Sequence, residues 1–239
     1  MLPAQEILQL KPYAAVVSVL GKLRERVEKG VLKMGEGDLK RPTKEEIREL
    51  PLFVGISLDD IVVVDNMEDA EKAIKELQGA SCLGFDTESK PCFRKGEMNT
   101  GPHLIQLANE SKAFLFPTRF LPIITALEEV LSAPHIKKVG FGLAGDKKIL
   151  QEKFGINLFN EHDLSLTLKK YFGLKQRVGI KTAVAMVFKQ RLAKGAQTSN
   201  WAAFPLQDHQ LKYAANDAYA SLCIELAVNN DMKWQEKIG

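Results

Sequence analysis

The amino-acid sequence predicts an α/β protein: a mixed β-sheet flanked by helices, with an N-terminal helical extension. Three observations point there. Four apolar runs of four or five residues, too short to be helices, lie close together between residues 61 and 116. From residue 121 onward, segments with helical spacing alternate with a further apolar run. Close strands followed by alternating helix and strand are the pattern of a mixed sheet with helices on its faces. Residues 1–50, by contrast, are rich in Lys, Arg and Glu at helical spacing and carry no motif with chemistry in it. The sequence is therefore divided into a helical N-terminal extension, 1–50, and a main domain, 51–239.

Taken in order, the extension breaks at Gly35, Gly37 and Pro42, after which Thr43 and Glu46 form a capping box that opens a short helix. Ile61–Val64 reads as a strand. Glu68–Leu77 is a helix capped by Asp65 or Asn66. Ser81–Phe85 is a strand of buried type that ends in Asp86-Thr87-Glu88. Leu104–Leu107 and Ala113–Phe116 are two more strands. A helix over Leu121–Leu131, a strand over Lys137–Phe141 and a helix over Asp146–Phe154 follow. Two or three helices occupy Asp163–Gln190, and Pro205 precedes a long helix from Gln207 to about Ala227.

Composition excludes several classes. The chain of 239 residues is 45% apolar and 26% charged, as in ordinary globular proteins. No run approaches the ~18 apolar residues of a membrane span. The patch Ala14–Leu20 lacks the flanks and cleavage site of a signal peptide and reads as a helix. Cys82, Cys92 and Cys223 are scattered, with no C-x-x-C spacing, so disulfides and zinc are not expected. We expect a protein of the reducing interior, cytoplasmic or, in a eukaryote, nuclear, and not secreted. The net charge of +3 is uneven: Leu164–Gln207 holds no Asp or Glu but eight basic residues, among them Lys169, Lys170, Lys175, Arg177 and Lys181. A segment of one sign in a nearly neutral chain suits a polyanion partner, although lysines also simply solvate helix faces.

The candidate chemistry lies in carboxylates. Asp86 and Glu88 are two apart on an extended segment, so both point to one face. Two close carboxylates repel, and such a site should hold a cation or share a proton. Tyr213 and Asp217 are four apart on a helix and so are neighbours on one face, with Leu211, Ala214, Ala215 and Ala218 packing around them. Asp146 follows Gly140-x-Gly142-x-x-Gly145, a spacing that elsewhere marks a dinucleotide-binding turn. Glu161 and Asp163 lie near the distance expected of a ribose-binding acid. Against that reading, Asp146 puts a negative charge where a pyrophosphate would sit. It also leaves Asp86, Glu88, Tyr213 and Asp217 unexplained, so no nucleotide cofactor is expected. Each element is ordinary alone. Together, four carboxylates from three elements could converge on one point. Divalent ions such as magnesium take oxygen ligands of this kind. Two such ions ~3.5–4 Å apart clamp the attacking and leaving oxygens of a phosphodiester. A nearby tyrosine can orient the attacking water or help to deprotonate it.

These residues carry a family resemblance. Gly84–Pro91 (GFDTESKP), His103–Ala108 (HLIQLA), KKVGFGLAGDKKIL with Asp146, and Thr198–Ser221 with Tyr213 and Asp217 resemble the motifs of the DEDDy 3′–5′ exonucleases of the ribonuclease-H-like superfamily. The Werner-syndrome exonuclease domain and its bacterial and plant relatives look most similar. The resemblance spans about Pro51 to Ala227, and its SNW…FPL approach to the last motif is its most specific part. It implies a ribonuclease-H-like mixed sheet and catalysis by Asp86, Glu88, Asp146, Tyr213 and Asp217. Asp86, Glu88 and Asp217 would hold one metal, Asp86 also a second, and Asp146 would act largely through a metal's water shell. Tyr213 would position the nucleophilic water. The histidine subgroup has His where Lys212 stands, so this is the tyrosine type. Proofreading polymerases usually carry Asn at the position of Gly142, whereas Werner-like members share the glycine. Gln207 is a poor helix cap, which leaves that task to Asp208.

The implied activity is metal-dependent hydrolysis at nucleic-acid 3′ ends, with two Mg2+ or Mn2+ ions and release of nucleoside 5′-monophosphates. DNA is favoured. The alternatives are a ribonuclease D-like RNA-processing enzyme and an inactive nucleic-acid-binding module. The basic segment should flank the cleft as a phosphate-binding wall, with Phe93 and Arg94 near the 3′ end. Trp201 reads as packing, Gln106 as lining the cleft or as a plain sheet residue, and Cys82 and Cys223 as core. The four histidines form no ligand pattern.

Overall fold

The computed structural model describes residues 41–91, 100–193 and 195–238. Most of the expected extension, 1–40, lies outside the described residues. Along the chain run α1 (Lys44–Glu49), β1 (Ile61–Val63), α2 (Met67–Gln78), β2 (Cys82–Glu88), β3 (Leu104–Ala108), β4 (Ala113–Pro117) and α3 (Leu121–Leu131). Then come β5 (Lys137–Gly140), α4 (Ala144–Phe154), β6 (Glu161–Asp163), α5 (Leu164–Tyr171), α6 (Ile180–Phe188) and α7 (Asp208–Ile238). The elements form two compact units. Of the described residues, one comprises those up to Gly55, those from Leu164 to Ala193 and those from Cys223 onward; the other comprises those between Ile56 and Asp163 and those between Ala193 and Cys223.

In the first unit, α1 opens with the expected capping box. Thr43 Oγ1 accepts from the Glu46 amide at 3.1 Å, and the Glu46 carboxylate accepts from the Thr43 amide at 2.6 Å. The chain after α1 is held by Arg191, whose amide donates to Pro51 O at 2.9 Å and whose Nε donates to Leu50 O at 2.9 Å. Phe53 packs on Phe188 with ring centroids 5.6 Å apart.

The second unit is built on a mixed six-stranded sheet in the order β1-β4-β3-β2-β5-β6. The β2–β3 and β3–β4 pairs are antiparallel; β1–β4, β2–β5 and β5–β6 are parallel. Alternation along the central strands divides the residues between two faces. Leu83, Phe85, Ile105, Leu107, Phe114 and Phe116 enter one large apolar core with the buried sides of α2 and α3 and with Leu143 and Leu150. Leu104 and Leu115 face the other way, into a smaller cluster with Trp201, Tyr213 and Ala214.

Boundaries differ from the sequence reading where the local signal is weak. β6 has no counterpart in the sequence reading, which assigns nothing to Glu161 and His162 and begins a helix at Asp163: the three residues are polar and give no strand signal, and pairing with β5 alone makes them a strand. Helix α4 begins at Ala144, so Asp146 lies within its first turn. Asp208 is not the cap of α7 but its first residue. The Gln207 amide donates to Gln210 Oε1 at 3.0 Å, half of a capping box supplied by the later glutamine. Cys223 is buried as expected, whereas Cys82 is only partly so.

Candidate active site

The site begins with the alternation of β2. Asp86 and Glu88 share a face with Gly84, and α7 crosses that face. A Cβ on Gly84 would collide with the Ala218 carbonyl, so only glycine admits the helix this closely. The fully buried Ala214, Ala215 and Ala218 do the same from the helix side. This approach brings Asp217 to the two strand acids: one carboxylate oxygen from each of Asp86, Glu88 and Asp217 lies within 4.8 Å of the others.

The electrostatics are unfavourable for anions alone. Burial, followed by the charges of Asp217, Asp146 and Glu88, drives the Asp86 pKa well above the ordinary carboxylate value. The three charges with the largest effect on Asp86 are all negative. Tyr213 is 8% exposed and hydrogen-bonds Asp217. Burial and then the carboxylates of Asp217 and Glu88 push its pKa upward, so the phenol keeps its proton. Such a group donates and orients rather than acting as a base.

Asp146 stands outside the close triad. Thr87, between the two acids but pointing to the opposite face, donates its hydroxyl to Asp146 Oδ1. Burial raises the Asp146 pKa, and that hydrogen bond opposes the rise. The glycine turn before it has a local explanation. A Cβ on Gly140 would collide with the Phe85 carbonyl, and Gly142 has φ +72°, a left-handed conformation. The Gly142 amide donates to Asp163 Oδ1 at 3.2 Å, and Glu161 pairs with Lys147. Both acids weighed for a ribose thus brace this turn and α4.

The remaining expected residues separate. Lys169, Lys170, Lys175, Arg177 and Lys181 are exposed on or near α5 and α6, in the first unit. Phe93 and Arg94 lie outside the described residues. Trp201 is 2% exposed and packs on Tyr213 at 6.1 Å between ring centroids. Thr87 escaped the sequence reading, and Gln106 was read there only as lining the cleft or as a plain sheet residue. Thr87 sits inside the D-T-E motif, and the alternation that put the acids on one face also sent its hydroxyl to the other. Gln106 pairs directly with Asp86 across the strands, is fully buried, and leaves both amide atoms without a hydrogen-bond partner.

A mixed sheet with a carboxylate cluster at one strand and a late helix delivering Tyr and Asp defines a nuclease-type centre. The chain belongs to the 3′–5′ exonuclease family, whose model matches residues 61–233. It is 29% identical over 164 residues to the bifunctional 3′–5′ exonuclease/ATP-dependent helicase WRN of Mus musculus, covering 67% of this chain and 12% of that protein. It is 28% identical over 150 residues to a 3′–5′ exonuclease of Arabidopsis thaliana, covering 62% of this chain and 52% of that one. The chain thus spans about half or less of these two relatives. Among solved structures, the Aedes aegypti Nibbler EXO domain superposes with a TM-score of 0.66 at 23% identity, covering 74% of this chain and 91% of that one. Trypanosoma brucei RNase D in complex with RNA U12 superposes with a TM-score of 0.63 at 22% identity, covering 77% and 64%. The fold is that of these exonuclease domains, a ribonuclease-H-like α/β sheet.

Proposed function

We propose that this chain is a metal-dependent 3′–5′ exonuclease that removes the 3′-terminal nucleotide as a nucleoside 5′-monophosphate, with DNA the favoured strand. The observation that carries the reading is the convergence of Asp86, Glu88 and Asp217, with Tyr213 anchored beside them. An all-oxygen donor set in which the partly buried Asp86 faces the negative charges of Asp217, Asp146 and Glu88 fits hard divalent cations, and we assign two, Mg2+ or Mn2+. When bound, such ions stabilise the charge that develops on the attacking and leaving oxygens of the phosphodiester.

In this reading Asp86, Glu88 and Asp217 would hold the ions, and Asp86 would serve both. The Tyr213 phenol, protonated and tied to Asp217, orients the attacking water toward the phosphorus. A new phosphorus–oxygen bond forms to that water, the bond to the neighbouring 3′ oxygen breaks, and that oxygen leaves as the new 3′ hydroxyl. Asp146, fixed by Thr87, holds solvent on the far side of the acids. Lys169, Lys170, Lys175, Arg177 and Lys181 grip the strand through phosphates, so binding weakens as salt rises, and Phe93 and Arg94 touch the 3′ end.

The test uses 5′-labelled DNA and RNA strands of matched sequence, single-stranded and recessed, in Mg2+ or Mn2+. The expected result is a ladder shortening from the 3′ end that chelator abolishes and Asp86→Ala lacks. A ladder on RNA alone replaces DNA by RNA as substrate. No ladder with salt-sensitive binding intact overturns the enzyme reading in favour of a binding module.

A further inference from the structure

A pocket of about 170 Å³ is lined by His103, Thr118, Arg119, Lys153, Trp201 and Ala203, among others, and none of the five candidate catalytic residues lines it. Its walls are continuous with the candidate site. The His103 amide donates to Glu88 O at 2.8 Å, and the Thr118 amide donates to His103 O at 2.9 Å. Trp201 is the residue that packs on Tyr213. The charges in this pocket are of the opposite sign to those of the cluster. The Arg119 guanidinium lies 5.6 Å from the centre of the Phe120 ring and 5.4 Å from that of Phe204, and those rings meet edge to face at 5.5 Å. Aromatic faces hold it in place, yet among the described residues its five N–H donors meet no acceptor. Among the described residues Lys153 donates to the backbone carbonyls of Thr100 and Pro102, and burial lowers its pKa. Among the described residues, no acidic side chain lines the pocket.

We propose that this pocket is a second phosphate subsite for the substrate strand, occupied by a nucleotide upstream of the scissile bond. The inference rests on reading the acid cluster as the place of 3′-end hydrolysis. A terminal nucleotide carries one internucleotide phosphate, and that is the phosphate being cut. A further phosphate site next to it therefore serves the second or third nucleotide from the end. The Arg119 fork and the Lys153 ammonium match phosphate oxygens. Pro117, Trp201 and Ala203 give an apolar wall for the attached sugar or base.

The test separates phosphates by strand length. Labelled oligonucleotides of two to six nucleotides without terminal phosphates are bound to wild type, Arg119→Gln, Arg119→Lys and Lys153→Gln in chelator, across a range of salt. Fluorescence anisotropy gives the affinity, and thermal unfolding checks that each variant is folded. Expected is a loss of affinity of about tenfold for Arg119→Gln on the longer strands. The salt slope should fall by about one, and the dinucleotide, which has only the scissile phosphate, should be unaffected. Arg119→Lys should keep the slope and lose part of the affinity. The length at which the penalty appears identifies the phosphate. An equal penalty on the dinucleotide, or none at any length, overturns the subsite. So does a free nucleoside 5′-monophosphate that binds wild type as tightly as the longer strands and loses the same affinity in Arg119→Gln. Because hydrolysis is not the readout, an inactive wild type would sink the exonuclease reading and leave this result to stand or fall separately.

Discussion

The two faces of one strand are built on opposite terms. On β2, Leu83 and Phe85 enter a dry core with α2 and α3, where the packing is apolar apart from Lys138 and burial stabilises the fold. Their immediate neighbours Gly84, Asp86 and Glu88 face α7, where burial gathers carboxylates that repel one another. The difference shows stability and chemistry assigned to alternate residues of a single element. Thr87 is the crossing point, on the core side by its parity yet bonded to Asp146.

Substitution of adjacent residues should break the comparison most sharply. Asp86→Asn should lower hydrolysis about a thousandfold. In chelator its unfolding free energy should hold or rise, because a charge in a repulsive cluster has been removed. Phe85→Ala should do the reverse, costing about 3–5 kcal/mol in urea unfolding. Hydrolysis per folded molecule should stay far closer to wild type. Equal destabilisation by both would mean that the two faces are not energetically separate.

Thr87→Val tests the crossing point. The substitution keeps the shape and removes the hydroxyl, so Asp146 loses its partner. Groups that position catalytic ligands typically contribute 10–100-fold, and a fall of about that size in kcat is expected. Thr87→Ser should restore it, which a simple packing defect would not.

Gln106 sharpens the contrast with less effect. It lies on the acid face opposite Asp86, with both amide atoms buried and unpartnered. Gln106→Met, close in volume, should raise stability by about 1 kcal/mol, since an unsatisfied buried polar group is removed. Urea unfolding in chelator measures this. A loss of stability would show that solvent satisfies the amide.

Much of this was legible in sequence because it is periodic. The two-residue spacing of Asp86 and Glu88 and the four-residue spacing of Tyr213 and Asp217 fix which side chains share a face before any tertiary contact is known. The core strands announced themselves by apolar runs. What could not be read depends on partners far away in sequence. β6 exists because β5 pairs with it, Gln207 acts as a cap because Gln210 reaches back, and Thr87 becomes functional only where α4 brings Asp146 to it. The pocket at Arg119 is assembled from four separate stretches of chain, and the motifs that contain His103 and Trp201 give no sign that Arg119 and Lys153 join them. The glycine turn was legible as a turn, but its spacing alone could not tell a phosphate cradle from a close approach to β2.

Lys138 extends the comparison to the dry face. It pairs with Leu83 across the β2–β5 ladder and is fully buried, a charge where its neighbours are apolar. Its ammonium donates to the carbonyls of Ala133 at 2.8 Å and Val130 at 3.4 Å, at the C-terminal end of α3, where the helix dipole favours a cation. The acid face leaves its charges in mutual repulsion, whereas this one is met by main-chain acceptors. Burial still lowers the Lys138 pKa to about 8, with Glu161 opposing the shift. The sign of the consequence follows from proton counts. Between pH 8 and the unfolded value of 10.5, the unfolded chain binds more protons at this lysine than the folded one, so this group makes stability rise with pH there. Lys138→Met removes that contribution. Wild type measured against Lys138→Met by urea unfolding should therefore gain relative stability as the pH is raised through that window. Below pH 8 the difference between them should stay constant. A difference that shrinks with rising pH would mean that the carbonyls of α3 hold the ammonium more tightly than burial opposes it.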